Sequence, residues 1–254
     1  MIVCKSPAEI EKMRAANLLV AQVLEDLAAM VAPGVSTADL DAAAEARVRA
    51  AGAEPAFKGY RGYPATLCAS VNEQVVHGIP GRRELAAGDI VLLDMGVKLG
   101  GYYGDSAVTV AVGPVGEDVK RLLRVTQEAL EAGIAQVRVG GRISDIGHAI
   151  QQHVEAEGFS VVREFVGHGI GAALHEEPQI ANYGEPGRGP RLAEGMTLAI
   201  EPMVNMGKAA VRVLADGWTA VTKDGSLSAH FEHTVAVTKN GPDVLTMKPV
   251  GVSR

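Results

Sequence analysis

The sequence lacks a disulfide framework, an excess of positive charge and any membrane-length apolar run. Two cysteines among 254 residues, Cys4 and Cys68, are too few for a fold stabilised by several disulfides. The formal net charge of −6 argues against a protein built mainly to grip DNA or RNA. Residues 1–7 also lack the charged start and apolar stretch of a signal peptide. These absences predict a reduced, cytoplasmic setting without DNA or membrane contact.

A weak internal repeat predicts how the chain is organised. GVSTADL at 34–40 recurs as GGRISDI at 140–146, and GDIVLLD at 88–94 recurs as GMTLAIE at 195–201. The offsets, 106 and 107 residues, nearly agree, which favours a true repeat over chance alignment of generic helix and strand patterns. We therefore predict one domain, residues 1–254, with related halves of roughly 1–113 and 114–254. In each copy a glycine ends one helix and a polar residue caps the next, Ser36 or Thr37 in the first and Ser144 in the second.

Five residues are candidate metal ligands: Asp94, Asp105, His168, Glu201 and Glu232. Four carboxylates and one imidazole suit hard or borderline divalent cations rather than a thiolate zinc site. Each acid borders an apolar run, so we expect carboxylates at strand ends, two in each half. A single acid in such a place would be read as a turn residue, but buried carboxylates are costly unless paired or metal-bound.

The segment between Asp94 and Asp105 is rich in glycine and predicts a turn between adjoining strands. Antiparallel pairing of those strands would bring the two carboxylates close together. At that separation they would repel each other unless a cation lay between them.

Three histidines complete the candidate site. His168 lies in FVGHGIG at 165–171, His175 follows in HEEP, and His77 lies in a second His-Gly-Ile tripeptide. The glycines allow a backbone or ligand to approach closely. A lone histidine is more often a satisfied structural group, but three in such contexts favour a catalytic constellation.

These motifs resemble, in identity and order, those of the type I methionine aminopeptidases. The matching stretches are GYRGYP (59–64), SVNE (70–73), HGIP (77–80), FVGHGIG (165–171), IANY (180–183), IEPM (200–203), DGW (216–218) and TKDGSLSA (222–229). The resemblance runs from residue 6 to residue 244. It implies an α+β pita-bread fold, with two pseudo-symmetric halves around a central dinuclear metal site.

The resemblance also implies an activity, the removal of the N-terminal methionine from nascent proteins with a preference for a small second residue. It implies that Asp94 chelates one of two divalent ions, that Asp105 and Glu232 bridge both, and that His168 and Glu201 complete the other shell. The ions would assist hydrolysis of the first peptide bond.

Further roles follow from the same resemblance. Glu201 would shuttle the proton to the leaving amine, while His77 and His175 would contact the substrate around the scissile amide. The pocket for the methionine side chain would be lined by Tyr60, Tyr63, Cys68, Leu174 and Trp218. Read alone, Trp218 and Cys68 would be ordinary core residues, and both histidines structural ones.

Two alternatives remain open from the sequence. Proline-specific peptidases share the five ligands, but they usually carry an extra N-terminal domain that we do not expect here. A non-catalytic relative that binds ribosomes would be expected to have lost ligands, and none is missing.

Several points are not fixed by the sequence. Relatives usually have Arg, Phe and Gln where this chain has Ala172, Leu174 and His230, which changes the pocket rather than the ligands. Cobalt, manganese, iron, zinc or nickel would suit the site. The resemblance adds a monovalent cation near Asn72, Gln74 and Ser228, and a monomeric state. A contact with the ribosome near the exit tunnel stays open.

Overall fold

The computed structural model describes residues 1–247, which form four helices of more than three turns and fifteen strands. The helices are α1 (Pro7–Met30), α2 (Thr37–Ala50), α3 (Glu117–Ile134) and α4 (Ile143–Ala156). The strands of the amino-terminal part are β1 (Glu54–Pro55), β2 (Cys68–Val71), β3 (Gln74–Val76), β4 (Ile90–Leu99) and β5 (Tyr102–Ala111). Those that follow are β6 (Ser160–Val161), β7 (Gly167–Gly169), β8 (Glu176–Ile180), β9 (Thr197–Ile200), β10 (Met203–Asn205), β11 (Val211–Val213), β12 (Ala220–Thr222), β13 (Ser228–His230), β14 (His233–Thr238) and β15 (Gly241–Val244).

The first two helices begin at capping boxes that the sequence dictates. Ser6 and Glu9 exchange side-chain and backbone hydrogen bonds at the start of α1, and Ser36 and Asp39 do the same for α2. Each box satisfies backbone N–H groups that have no partner within the helix. Pro7 at the first helical position adds a preset φ angle.

The capping prediction for Ser144 is wrong. The N-cap of α4 is Arg142, two residues earlier, and the Asp145 carboxylate accepts the Arg142 N–H at 2.8 Å. Ser144 lies in the first turn, where its hydroxyl donates to the carbonyl of Arg188. An acid three residues into the helix therefore supplies the cap, and the serine ties the helix to the loop at 184–190.

The repeat seen in the sequence is also present in the backbone. Gly34 and Gly140 both have positive φ angles, and each donates its N–H at 2.8 Å to a leucine carbonyl, that of Leu85 or Leu192. Isolated bridges next to them, Ser36↔Glu84 and Arg142↔Arg191, are equivalent as well. Each half thus has a helix pair closed by the same turn, which agrees with the expected pseudo-symmetry.

Four sheets carry the two helix pairs. Strand β4 lies at the centre of the first sheet, paired with β1, β2 and β5, and the largest sheet runs β15-β14-β9-β7-β8. The other two have the orders β13-β10-β6 and β11-β12-β3. Because β3 belongs to the amino-terminal part and β12 to the carboxy-terminal part, this last sheet joins the halves.

Two apolar cores support the site from either side. One packs α1 and α2 against β4 and includes Leu27, Leu40 and Leu93, all fully buried. The other packs α3 and α4 against the second half. Burying one such side chain contributes about 1.5–3 kcal/mol. Among residues 1–247, no helix is both long and apolar enough to cross a membrane.

Candidate active site

The first two candidate ligands lie on the β4–β5 hairpin. Asp94 is in the middle of β4 rather than at its end, because the strand continues from Met95 to Leu99. Asp105 likewise lies inside β5, so the expectation of strand-end carboxylates is wrong for this pair. The glycine-rich turn between the strands is where the sequence predicted it, and both carboxylates line one cavity.

The other three candidates come from the second half. His168 lies in β7, Glu201 directly follows β9, and Glu232 stands between β13 and β14, as predicted for the two acids. An isolated bridge joins Ala107 to Glu232 and closes the halves over the site. The hydroxyl of Ser106 strengthens that closure by donating to the Glu232 carbonyl at 2.7 Å.

These side chains converge closely enough to hold a cation. One ligand atom each from Asp105, His168 and Glu232 lies within 4.8 Å of the others. The His168 Nε2 atom is 3.6 Å from a Glu201 oxygen and 3.9 Å from an Asp105 oxygen. One oxygen each of Asp105 and Glu232 is buried and has no hydrogen-bond partner among the described residues. Such orphaned oxygens fit divalent metal ions, because a cation would satisfy them.

The carboxylates strongly perturb one another. Burial raises the pKa of Asp94 to about 7. Burial, with the charges of Asp94 and Glu201, also raises the pKa of Asp105 well above its usual range. Burial and the neighbouring carboxylates likewise raise the pKa of Glu201 and the pKa of Glu232 well above their usual range. Without cations, four closely spaced and largely buried acids therefore favour protonation, so metal binding here would release protons.

Neighbouring groups orient the ligands. The Nδ1 atom of His168 is 2.9 Å from the Gly169 carbonyl, which leaves Nε2 to face the carboxylates. Burial lowers the pKa of His168, so the neutral ring that a metal requires is favoured. On the other side, the Asp105 N–H donates to the side chain of Asn17 in α1 at 3.2 Å.

An apolar pocket adjoins the carboxylates. All five predicted wall residues line the same cavity: Tyr60, Tyr63, Cys68, Leu174 and Trp218. The rings of Tyr63 and Trp218 meet edge to face, with centroids 5.1 Å apart. The Tyr63 hydroxyl lies 3.1 Å from the Leu67 carbonyl and 3.0 Å from the Gly78 carbonyl. A hydrogen bond to either carbonyl fixes the position of that wall. Burial raises the pKa of the Cys68 thiol, so it is an inert wall residue and not a nucleophile.

Two lining residues were missed. Phe57 packs against both the Leu174 and the Cys68 sides of the pocket, and Arg61 lies over the Tyr60 ring. Arg61 does not stand out by type or spacing. Phe57 could have been found by the scarcity of its residue type, since the chain has four phenylalanines and aromatic residues make up 4%.

The two further histidines flank the cavity. His77 has φ +60°, a backbone conformation that non-glycine residues rarely adopt and that is common at functional sites. Its ring packs edge-on against Phe165 and Trp218. His175 stands at the mouth, with Nδ1 2.9 Å from the Tyr60 hydroxyl and its ring centroid 4.2 Å from that of His168. Partial burial and the neighbouring His168 and Arg61 lower the pKa of His175.

The three departures from the usual pattern differ in their relation to the pocket. Leu174 is buried and lines the cavity, whereas Ala172 is exposed and neither Ala172 nor His230 is among the lining residues. His230 is fully buried, with neither ring nitrogen hydrogen-bonded to any described residue, and Nε2 is 3.7 Å from Glu201. None of the three replaces a ligand.

Comparison with known proteins agrees with this geometry. Residues 11–239 match the model of metallopeptidase family M24. The sequence is 55% identical over 246 residues to methionine aminopeptidase 1 of Bacillus subtilis, covering 97% of this chain and 99% of that protein. The crystal structure of methionine aminopeptidase from Thermotoga maritima superposes with a TM-score of 0.96 at 49% identity, covering 98% and 100% of the two chains.

The chain therefore belongs to metallopeptidase family M24, a class of metal-dependent hydrolases. Within that family it falls among the type I methionine aminopeptidases. The pita-bread fold, with its α+β halves, is confirmed. A prolidase from Pyrococcus horikoshii shares the fold, with a TM-score of 0.78, but at 23% identity and with only 65% of its length covered. The proline-peptidase alternative is accordingly disfavoured.

Proposed function

We propose that this cavity binds the N-terminal methionine of a polypeptide and cleaves the bond that follows it. The observation that carries the proposal is that the apolar pocket wall lies directly beside the cluster of carboxylates. Cys68 in the apolar wall lies directly opposite Asp94 across the antiparallel pair β2 and β4. A residue whose amine is held near the carboxylate would therefore place its side chain against the thiol and the aromatic rings. A thioether suits such soft, apolar walls.

The metal shell is assigned residue by residue. We assign Asp94 to one divalent ion, Asp105 and Glu232 to both, and His168 and Glu201 to the other. The buried, unpartnered oxygens of Asp105 and Glu232 support the bridging assignment, since each has a free acceptor facing the cavity. When bound, the ions would polarise the scissile carbonyl and lower the pKa of water. Cobalt, manganese, iron, zinc and nickel all suit four carboxylates and one imidazole.

The chain's own residues would then handle protons and orientation. Glu201 lies at the edge of the ligand cluster, 3.6 Å from His168 Nε2, and its side chain is 12% exposed, so its carboxylate could take up a proton and pass it to the leaving amine. His175 stays neutral at pH 7 because its pKa is lowered, and its Nε2 would donate to the developing oxyanion once Nδ1 accepts from Tyr60. His77, in its constrained backbone, would contact the amide on the leaving side.

The surroundings of Asp94 support an exopeptidase acting on free N-termini. Asp94 is 7% exposed and pairs with Cys68 of the pocket wall, so an amine held at the carboxylate would lie beside the methionine side chain. We assign nascent polypeptides with a small second residue as substrates. A contact with the ribosome, a monomeric state, a cytoplasmic location and the monovalent cation near Asn72, Gln74 and Ser228 remain predictions.

A metal-stripped sample separates the alternatives. It would be assayed on Met-Ala-Ser and on Ala-Pro-Ala, with and without Co(II) or Mn(II), beside Asp105→Asn and the exposed control Asp118→Asn. We expect methionine release that requires metal, is lost in Asp105→Asn and is retained in the control. Release from the proline peptide alone would favour the prolidase-like activity. No release with either metal would overturn the proposal.

A further inference from the structure

The chain buries an ion pair next to the active-site loop. Lys5 is only 6% exposed, and its Nζ atom is 2.5 Å from the Glu176 carboxylate. Nζ also donates to the Val3 carbonyl at 3.1 Å. Lysine and glutamate are rarely buried unless paired, because each charge loses its hydration. The ligands and the pocket described above do not use this pair.

The pair closes the loop at 171–176. The second oxygen of Glu176 accepts the Ala173 N–H at 3.1 Å, and the Gly171 N–H donates to the Ala173 carbonyl at 3.0 Å. A Cβ atom at Gly171 would lie 2.3 Å from the Lys5 Cε atom, so the lysine stem packs directly on the loop backbone. The loop is therefore supported by the side chain of Lys5, which lies far earlier in the sequence.

Lys5 is itself held firmly. Its N–H donates to the Gly195 carbonyl at 2.7 Å, and a Cβ atom at Gly195 would lie 2.4 Å from the Lys5 carbonyl oxygen. The next residue, Ser6, caps α1. The lysine is thus fixed by the start of a 24-residue helix on one side and by the turn before β9 on the other.

The loop carries two groups of the candidate site. Leu174 forms pocket wall, and His175 directly precedes the anchored Glu176. Unlike Leu174, His175 is exposed, and its ring packs against the rings of Tyr60 and His168. An exposed ring needs an outside constraint to keep catalytic geometry, since a misplacement of 1 Å costs up to about 100-fold in rate.

We propose that Lys5 and Glu176 are positioning residues, which hold the loop at 171–176 so that His175 faces the scissile amide. Neither touches the substrate or the reacting atoms. The inference rests on the proposed role of His175.

The test uses the full chain with Lys5→Met, Glu176→Gln and the double variant. Methionine keeps the length of the lysine stem without its charge, and glutamine keeps the oxygen that Ala173 uses. Lys58→Met is the matched control, since Lys58 and Glu45 form a 2.7 Å ion pair that is partly exposed and far from the loop in sequence. Assays run well below each variant's melting temperature, with metal affinity measured by calorimetry.

We expect kcat on Met-Ala-Ser to fall about 10- to 100-fold in Lys5→Met. KM and metal affinity should change less than about twofold. In a His175→Ala background the same substitution should cost less than about twofold, because the residue it positions is gone. Equal losses with and without His175, or a lower melting temperature with unchanged kcat, would overturn the proposal.

A second readout does not depend on activity. In the metal-free protein, the imidazole nitrogen resonances of His175, assigned with His175→Ala, report its hydrogen bond to Tyr60. They should shift in Lys5→Met and in Glu176→Gln but not in Lys58→Met. Unchanged resonances in both variants contradict the proposal even if one of them folds poorly. If His175→Ala itself keeps full activity, the catalytic role fails, while the resonances still show whether the pair fixes the ring.

Discussion

Asp94 and Asp105 occupy diagonal positions on the β4–β5 hairpin: Asp94 pairs with Ala107, and Asp105 pairs with Gly96. Diagonal neighbours on one face lie about 7–8 Å apart at the backbone, farther than direct partners. The two carboxylates can therefore reach a shared space between them without direct contact. A Cβ atom at Gly96 would lie 3.0 Å from the Phe57 ring, so the glycine lets the pocket wall lie against the hairpin.

The first prediction concerns the stability of the metal-free protein. The folded-state pKa of Asp94, about 7, exceeds its unfolded value of 3.8. The native state thus keeps a proton that the unfolded chain has released, and stability falls as pH rises from about 4 to about 7. The Asp94→Asn variant cannot lose stability in this way. Its free energy of unfolding relative to wild type should therefore rise across that window, on the order of 2–4 kcal/mol, and level off above it.

Urea unfolding in the presence of a chelator, at several pH values, measures this difference. Histidines with lowered pKa values oppose the trend, but both proteins contain them and their effect cancels. A flat difference curve would contradict burial of a protonated Asp94.

The second prediction concerns His230→Gln. Burial lowers the pKa of His230 to about 3, while the unfolded side chain titrates near 6.5. Wild type should therefore lose more stability than the glutamine variant as pH falls below about 6.5, because the other buried histidines are common to both proteins. We expect the variant's advantage to grow by about 1 kcal/mol per pH unit. His153→Gln is the control, because His153 is partly exposed and its Nε2 lies 3.2 Å from Glu128 of α3. An equal advantage of that variant would contradict burial of His230 as the cause.

The third prediction concerns the pocket. Trp218→Ala removes a wall that contacts Tyr63 and His77. We expect KM for Met-Ala-Ser to rise about tenfold, since about 1–2 kcal/mol of apolar contact is lost, with a smaller change in kcat. Steady-state kinetics of Tyr183→Ala, an aromatic residue outside the pocket that stacks with Arg163, provide the comparison. A fall in kcat alone would show that Trp218 does not bind the side chain.

The fourth prediction concerns the packing behind the ligands. A Cβ atom at Gly104 would lie 2.7 Å from backbone atoms of Ala16 and Asn17 in α1. Gly104→Ala should push the helix from β5 and cost about 1–3 kcal/mol of stability. Gly116→Ala meets no atom within 4 Å and serves as the control. Chemical denaturation measures both, and equal midpoints would contradict the close helix–strand contact.

Much of the site could be predicted because its residues break local rules. Acids beside apolar runs and histidines among glycines are visible in sequence, whereas the five pocket-wall residues were predicted only from the family resemblance. All twelve predicted site residues line one cavity. The ends of strands were harder to predict. Strand β4 continues past Asp94 because Met95 and Val97 extend its buried face. The cap at Arg142 depends on a side chain three residues on. The Lys5–Glu176 pair joins positions 171 residues apart, and no local pattern encodes such a contact.

Trp218 is the one tryptophan of the chain, and it lies in the pocket wall. Its intrinsic fluorescence therefore reports the environment of that pocket alone, without a label or an engineered probe. Titration of the unmodified protein with free methionine should change the emission directly, and the same signal during denaturation would follow the loss of the pocket. Binding at this site and local unfolding around it can thus be followed optically in a single sample.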